Sequence, residues 1–318
     1  MKRIFKVLSL TLVLLLSLGA SAVSADSGPN LMKNGDFASG DFSHWTVFQT
    51  MTAGEVTGVT NESIIPGPGG WYSPGFFEFP YASFVVGQKN WEGNALWEGG
   101  GISQKITAPA GDWEASVNVT AWRKSDELGV KYSSGPTFEL LVDDVVVGTY
   151  SIPKFEFTGY SGTITANGTF TCKGSHEVSV RITYWGQPSW AEELVDNIVL
   201  SMTSIDAQID IKPGEAINSI NLRSKGVVPV AILGSACFDA STIDPATVSL
   251  EGAAASQKGK SGNYGSLEDV NGDGYLDLVV QVNTQDLGLT KGMTNANLTA
   301  YTFDGVPISG SDSINIVP

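Results

Sequence analysis

Near the end of the chain, Asp269-Val270-Asn271-Gly272-Asp273-Gly274-Tyr275-Leu276-Asp277 places side-chain oxygens at the first, third, fifth and ninth positions. Gly274, at the sixth, permits a sharp turn, and Tyr275, at the seventh, offers its carbonyl. A calcium ion takes roughly six to eight hard oxygens, and this spacing can wrap them around one centre. Three carboxylates so close together repel one another unless a cation sits among them. As a helical calcium hand the segment is incomplete, because Val280 stands where the bidentate Glu belongs. Leu278-Val279-Val280-Gln281-Val282-Asn283 reads as a strand. The expectation is a calcium loop in a β setting, with Asp269, Asn271, Asp273, Tyr275 and Asp277 as ligands and the remainder supplied from elsewhere or by water. The alternative is an Asp/Gly-rich turn that binds nothing.

A second chemistry is open to the aromatic residues. Sugars present flat C–H faces that stack on rings, and their hydroxyls need polar partners beside the ring. Trp122 and Trp185 fall on the polar faces of two alternating segments, beside Asn118 and Arg181. Trp190, in Gly186-Gln187-Pro188-Ser189-Trp190, and Trp91, in Lys89-Asn90-Trp91, could form loop walls. Trp122, Trp185, Trp190, Trp91 and Arg181 are therefore candidate carbohydrate contacts, and a groove flanked by Trp122 and Trp185 would support binding. The alternative is that the rings pack beneath loops.

Catalytic groupings are scarce. The two histidines, His44 and His176, read as structural. Gly159-Tyr160-Ser161-Gly162 only approaches a nucleophile elbow. Ala254–Ser261 ends in Gly-Lys-Ser but has no strand–helix frame for a nucleotide. Glu192 and Glu193 are the one carboxylate pair near the tryptophans, yet adjacent strand residues point to opposite faces. The expectation is a protein without catalysis; the enzyme alternative is a polysaccharide lyase or hydrolase.

The elements that must position these residues are strands. Ala115, Val117, Val119 and Ala121 alternate with Ser116, Asn118, Thr120 and Trp122; Val178, Val180, Ile182 and Tyr184 alternate with Ser179, Arg181, Thr183 and Trp185. Period two with one apolar face means half-buried antiparallel strands, hence an all-β sandwich. All 8 tryptophans precede residue 191, and that shift in composition marks a boundary. The expected organisation is a signal peptide over 1–25, a first domain over 26–203, a linker over 204–208 and a smaller β-sandwich-like domain over 209–318. Cys172 and Cys237 fall in different domains and read as two buried free thiols, with a bridge tying the domains together as the alternative.

Lys2, Arg3 and Lys6, the short apolar run Val7–Leu16 and an Ala-x-Ala exit give the first segment its secretory character. The run is too short to span a bilayer, which needs about 20 apolar residues, and no later segment is long and apolar enough to do so. Cleavage would deepen the net charge from −15 to about −18. A basic stripe for nucleic acid is absent, whereas excess acid suits solubility and divalent cations. The expected location is extracellular or at the cell surface, with carbohydrate as the partner.

Asn30-Leu31-Met32-Lys33-Asn34-Gly35-Asp36-Phe37-Ala38-Ser39-Gly40, followed by Trp45, resembles the opening of carbohydrate-binding modules of the CenC kind. Gly101–Trp113, and Gly174–Val180 running on to Val195–Val199, match the same pattern, so the resemblance covers about 30–203. It implies a galactose-binding-like jelly roll, in which Trp45 and Trp113 are core aromatics. The family often has Glu after the opening Phe, where it helps hold a structural calcium; here Ala38 follows Phe37. The closing Asp of the pattern is Asp196, which by parity points into the core with Leu194, Ile198 and Leu200. A second calcium shared with Asn34, Asp36 or Asp41 would neutralise it; a hydrogen-bonded Asp196 without metal is the alternative. Ile209–Gly214, Ser219–Gly234, Thr242–Val248 and Asp312–Val317 are similar to a β-domain at the carboxy end of secreted and surface proteins of bacteria and archaea. That resemblance implies no particular chemistry. A structural or adhesive surface protein without a sugar site is the rival reading of the whole chain.

Overall fold

The computed structural model describes residues 27–51, 82–84, 96–123, 136–152, 160–186, 191–257 and 262–317. The segment 1–25, Trp91 and Trp190 lie outside them. The strands, in chain order, are β1 (Thr46–Met51), β2 (Ala82–Phe84), β3 (Leu96–Ala108), β4 (Gly111–Arg123), β5 (Thr137–Val142), β6 (Val145–Ser151), β7 (Tyr160–Phe170), β8 (Gly174–Gly186) and β9 (Ala191–Asp206). They continue as β10 (Ile209–Ile211), β11 (Ser219–Asn221), β12 (Val227–Ile232), β13 (Ser249–Leu250), β14 (Ala253–Ala254), β15 (Gly265–Glu268), β16 (Asp277–Asn283), β17 (Asn295–Tyr301), β18 (Pro307–Ser313) and β19 (Asn315–Val317). The only helical elements among the described residues are 3-10 turns. The protein is all-β, as its alternation requires.

One sheet has the order β1-β3-β8-β5-β6, and a larger one runs β14-β13-β17-β18-β9-β4-β7, with β2 also paired to β9. Between them lie the apolar sides of the alternating strands: Val117 and Val119 from β4, Val180 and Ile182 from β8, Phe138 and Leu140 from β5, all fully buried. In the carboxy-terminal part, β10-β12-β16-β15 covers the inner side of β17 and β18, where Ala296, Leu298, Ala300 and Ile308 are buried. The opening motif is bound to this frame by backbone. Leu31 N–H donates to the Leu200 carbonyl (2.8 Å) and Ile198 N–H to that of Gly35 (2.9 Å). The Gln104 amide closes a pair of 2.8 Å bonds with the Lys33 backbone. Gly35 has no freedom to change, since a Cβ there would lie 2.2 Å from the Ile198 oxygen.

Within 204–208, β9 continues to Asp206 and pairs in parallel with β18 at Ile205 and Asp206, and Ala207 and Gln208 lead directly into β10. Ile205, Ala207 and Ile209 are buried in turn, so the apolar alternation runs through this stretch. The buried residues accordingly form one cluster from Met32 to Ile314.

Cys172 and Cys237 are not free thiols; they form a disulfide, with Cα atoms 4.4 Å apart. The turn between β7 and β8 lies against the segment 235–239. There Lys173 N–H donates to the Cys237 carbonyl (3.2 Å), and its ammonium stands 3.5 Å from Asp239. Asp239 is held below the usual carboxylate range by the Ser241 hydroxyl and, further, by Lys173, against the opposing effect of burial. A depressed folded-state value contributes stability above the unfolded value, and that contribution is lost as pH falls through the folded one. Asp239→Asn is therefore expected to melt below the parent at pH 7, and the two melting curves should converge as pH falls below the ordinary carboxylate range. A gap independent of pH would place the effect elsewhere.

Candidate functional site

In the loop 269–277, local chemistry sets the shape. Asp269 accepts from the N–H groups of Gly272 (2.7 Å), Asp273 (3.2 Å) and Gly274 (3.0 Å). Asn271 accepts from Asp273 N–H (3.0 Å), and Asp273 from Tyr275 N–H (2.9 Å). Gly272 and Gly274 adopt φ values of 76° and 90°, the left-handed region open to glycine at little cost. Asp269, Asn271 and Asp273 are exposed, whereas Asp277 at the head of β16 is 0% exposed. Its two oxygens accept from Gly234 N–H (2.8 Å) and Val270 N–H (2.9 Å). Gly234 abuts the loop so closely that a Cβ would lie 2.3 Å from the Leu276 oxygen. Among the described residues no group of three or more His, Cys, Asp or Glu side chains is poised together for a metal.

Parity fails at Asp196. Asn197 has φ 50° and the β4–β9 register shifts between Ser116 and Asn118, so a bulge intervenes. Leu194 and Asp196 oppose Thr120 and Asn118, while Leu200 opposes Ala115, so Asp196 lies on the face opposite Ile198 and Leu200. It is nonetheless 2% exposed, and its oxygens accept from the backbone N–H (2.7 Å) and side-chain amide (3.0 Å) of Asn197. Asp36 is exposed and accepts from Ala38 N–H. Asn34 spends its amide on the loop itself, donating to the Asp41 and Ser43 carbonyls and accepting from Ser39 N–H. Asp41 is drawn below its ordinary pKa by the Ser39 and Ser43 hydrogen bonds.

The aromatic candidates are divided between the two sheets. Trp185 directly opposes Trp97 across β8 and β3, two positions along from Thr183–Gly99 and four from Arg181–Gly101. Trp122 belongs to β4 in the other sheet, opposite Glu192. Around Arg181 the structure adds residues that the sequence did not single out. Arg181 Nε donates to Glu139 at 2.5 Å, and a Cβ on Gly101 would lie 2.9 Å from the Phe48 ring, which therefore reaches over β3 beside Arg181. Alternation would have put Phe48 and Glu139 on this face once β1, β3, β8 and β5 were known to be neighbours; nothing local does so.

No family model matches the chain. No curated protein matches it in sequence either. Solved structures match it only at low similarity. A cyclase from Fischerella sp. TAU is 18% identical, covers 56% of this chain and 97% of its own, and has a TM-score of 0.36. TmCBM61 in complex with beta-1,4-galactotriose is 17% identical, with 55% and 99% covered and a TM-score of 0.30. The adhesin domain of Epf from Streptococcus pyogenes is 10% identical, with 92% and 99% covered and a TM-score of 0.35.

The remaining polar candidates have structural surroundings. Glu193 is fully buried and pairs in register with Ala121, and Glu192 pairs in register with Trp122. His176 stacks on Phe170 with ring centroids 3.6 Å apart, and its Nδ1 is 2.7 Å from Asp143. Burial works to raise the pKa of Asp143, but the bonds from His176 and from Glu177 N–H prevail and hold it low. His44 is exposed. Among the described residues no helix is long and apolar enough to cross a membrane.

Proposed function

We propose that the protein is a secreted or cell-envelope, non-catalytic carbohydrate-binding protein that uses the outward face of its first sandwich. The observation that carries this reading is the grouping of a half-buried Phe48 ring with the Arg181–Glu139 pair, along strands that bring Trp97 and Trp185 to opposed positions. Rings provide stacking surface for sugar C–H faces, and a guanidinium held by a carboxylate provides fixed donors for hydroxyls.

The same reading gives calcium a structural role in the loop 269–277. By residue type the loop offers a hard cation the carboxylates of Asp269, Asp273 and Asp277, the amide oxygen of Asn271 and the carbonyl of Tyr275, which binding would have to draw together. The two left-handed glycines already turn the backbone as such a loop requires. Bound calcium would neutralise the clustered carboxylates and tie the loop to β16.

Glycan-array binding tests the first claim. Phe48→Ala and Trp185→Ala are each expected to weaken retention about tenfold, a loss of roughly 1.4 kcal/mol. Trp122→Ala, on the other sheet, should leave it unchanged. Equal losses from Trp122→Ala and Trp185→Ala would defeat the assignment of the face. Indifference of the parent to every glycan would favour the structural or adhesive reading, and release of reducing ends from polysaccharide would favour a lyase or hydrolase.

A further inference from the structure

The outward side of β17 and β18 carries no charge although the chain is acidic, a property it shares with the exposed row of β7, and it alone of the two ends in exposed rings. In β17 the residues alternate exposed and buried without a break from Asn295 to Tyr301. Asn297 opposes Ser311, Thr299 opposes Ser309, and Tyr301 opposes Pro307. The outward positions thus form rows of hydroxyls and amides ending at a ring, and no outward residue of either strand carries a charge. Beyond Tyr301, after the buried Thr302, comes Phe303; Tyr301 is 47% and Phe303 67% exposed.

A solvated sheet face with no further role ordinarily carries interspersed Lys and Glu, which keep it soluble and discourage sheet-to-sheet association. Here charge is confined to the border. Glu251 accepts from the backbone N–H (2.6 Å) and side-chain amide (3.0 Å) of Asn297, and Asp206 extends the row of Ser309 in β9. Two exposed rings carry a hydration cost that a stacking ligand would remove. Outward residues on one strand recur at about 6.8 Å and neighbouring strands lie about 4.8 Å apart, so seven-residue strands present a flat surface about 20 Å long.

We propose that this face is a second binding surface, separate from the one carrying Arg181, and that its ligand is a neutral polysaccharide chain. The hydroxyl and amide rows match a polymer whose polar groups are uncharged and repeat along its length. Tyr301 and Phe303 supply stacking at one end. The bordering carboxylates and the net charge of −15 repel acidic glycans.

Affinity electrophoresis of the full chain tests this, with soluble neutral polysaccharides (glucan, xylan, mannan, galactan) in one set of gels and polygalacturonate and alginate in another. The double change Tyr301→Ala/Phe303→Ala and the single change Ser309→Glu alter exposed side chains, and unchanged melting temperatures will confirm that they fold. At least one neutral polysaccharide is expected to retard the parent, with retention about tenfold weaker in both variants and kept in Phe48→Ala. The proposal is overturned if no neutral polysaccharide is bound, if both variants bind as the parent does, if acidic polymers bind better, or if the changes alter only the oligomeric state in gel filtration.

Discussion

Replacing Cys172 and Cys237 together by serine is expected to lower the unfolding free energy by about 4 kcal/mol and the melting temperature by roughly 10 °C. The bridge closes a loop of 65 residues in sequence separation. On the chain-entropy account, a loop of that length loses about 14 cal/mol/K of denatured-state entropy when it is cross-linked. The neighbouring ion pair does not replace the bridge: Lys173 and Asp239 are both about half exposed, and pairs of that kind contribute little. The parallel pairing of β18 with β9, over two residue pairs, remains in the variant. The serine variant should therefore still fold with both halves joined, but melt earlier and be cut more readily by protease between Ile205 and Ile211. Thermal melts of the parent with and without reductant make the control. A reduced parent that melts like the oxidised one would show that the cross-link adds nothing beyond the shared core.

The sequence was legible where a property belongs to one strand and obscure where it belongs to a neighbour. Alternation in Ala115–Trp122 and Val178–Trp185 gave the class, the inward set and the outward set, because period two is imposed by the backbone of each strand alone. It failed at Asp196 because one left-handed residue, Asn197, adds a position to the count, and nothing in the letters marks an Asn as bulged. The loss of tryptophan after residue 190 suggested a boundary, placed at 204–208, and carries no information on the buried alternation of Ile205, Ala207 and Ile209. The disulfide was obscure for a related reason. Which of two distant cysteines meet depends on the turn of the β7–β8 hairpin reaching the segment 235–239, a tertiary fact.

The candidate sites divide in the same way. The turn-forming character of 269–277 is local, written in Asp and Gly spacing, and its hydrogen bonds are short-range in sequence. The burial of Asp277, by contrast, depends on Gly234, more than forty positions away. Trp122 and Trp185 looked alike in sequence, each the last outward residue of an alternating run, and only sheet order separates them. Phe48 and Glu139 acquire meaning solely through their neighbours Gly101 and Arg181.

Asp277→Ala is the change at the loop with the largest expected effect, about 3–4 kcal/mol of lost stability. A fully buried carboxylate survives when its charge is met by donors, and here the donors are the N–H groups of Gly234 and Val270. Alanine would leave both without an acceptor, at a cost of about 1–3 kcal/mol each, and open a small cavity. Asparagine does not restore the arrangement, because its amide nitrogen would face one of the two donors, so Asp277→Asn should fall between the parent and Asp277→Ala. Calcium separates anchoring from ligation. If the loop binds the ion with a dissociation constant near 10 μM, 1 mM calcium stabilises the parent by about 2.7 kcal/mol, and excess chelator removes that increment. Asp273 is exposed, and its hydrogen bonds lie within the loop. Asp273→Asn should therefore melt like the chelated parent in the absence of calcium and lose most of the calcium increment in its presence. A parent whose melting ignores calcium would end the ligation claim and leave Asp277 as an anchor. An Asp277→Asn variant as stable as the parent in chelator would end the anchor claim, because that measurement reads only the two backbone hydrogen bonds.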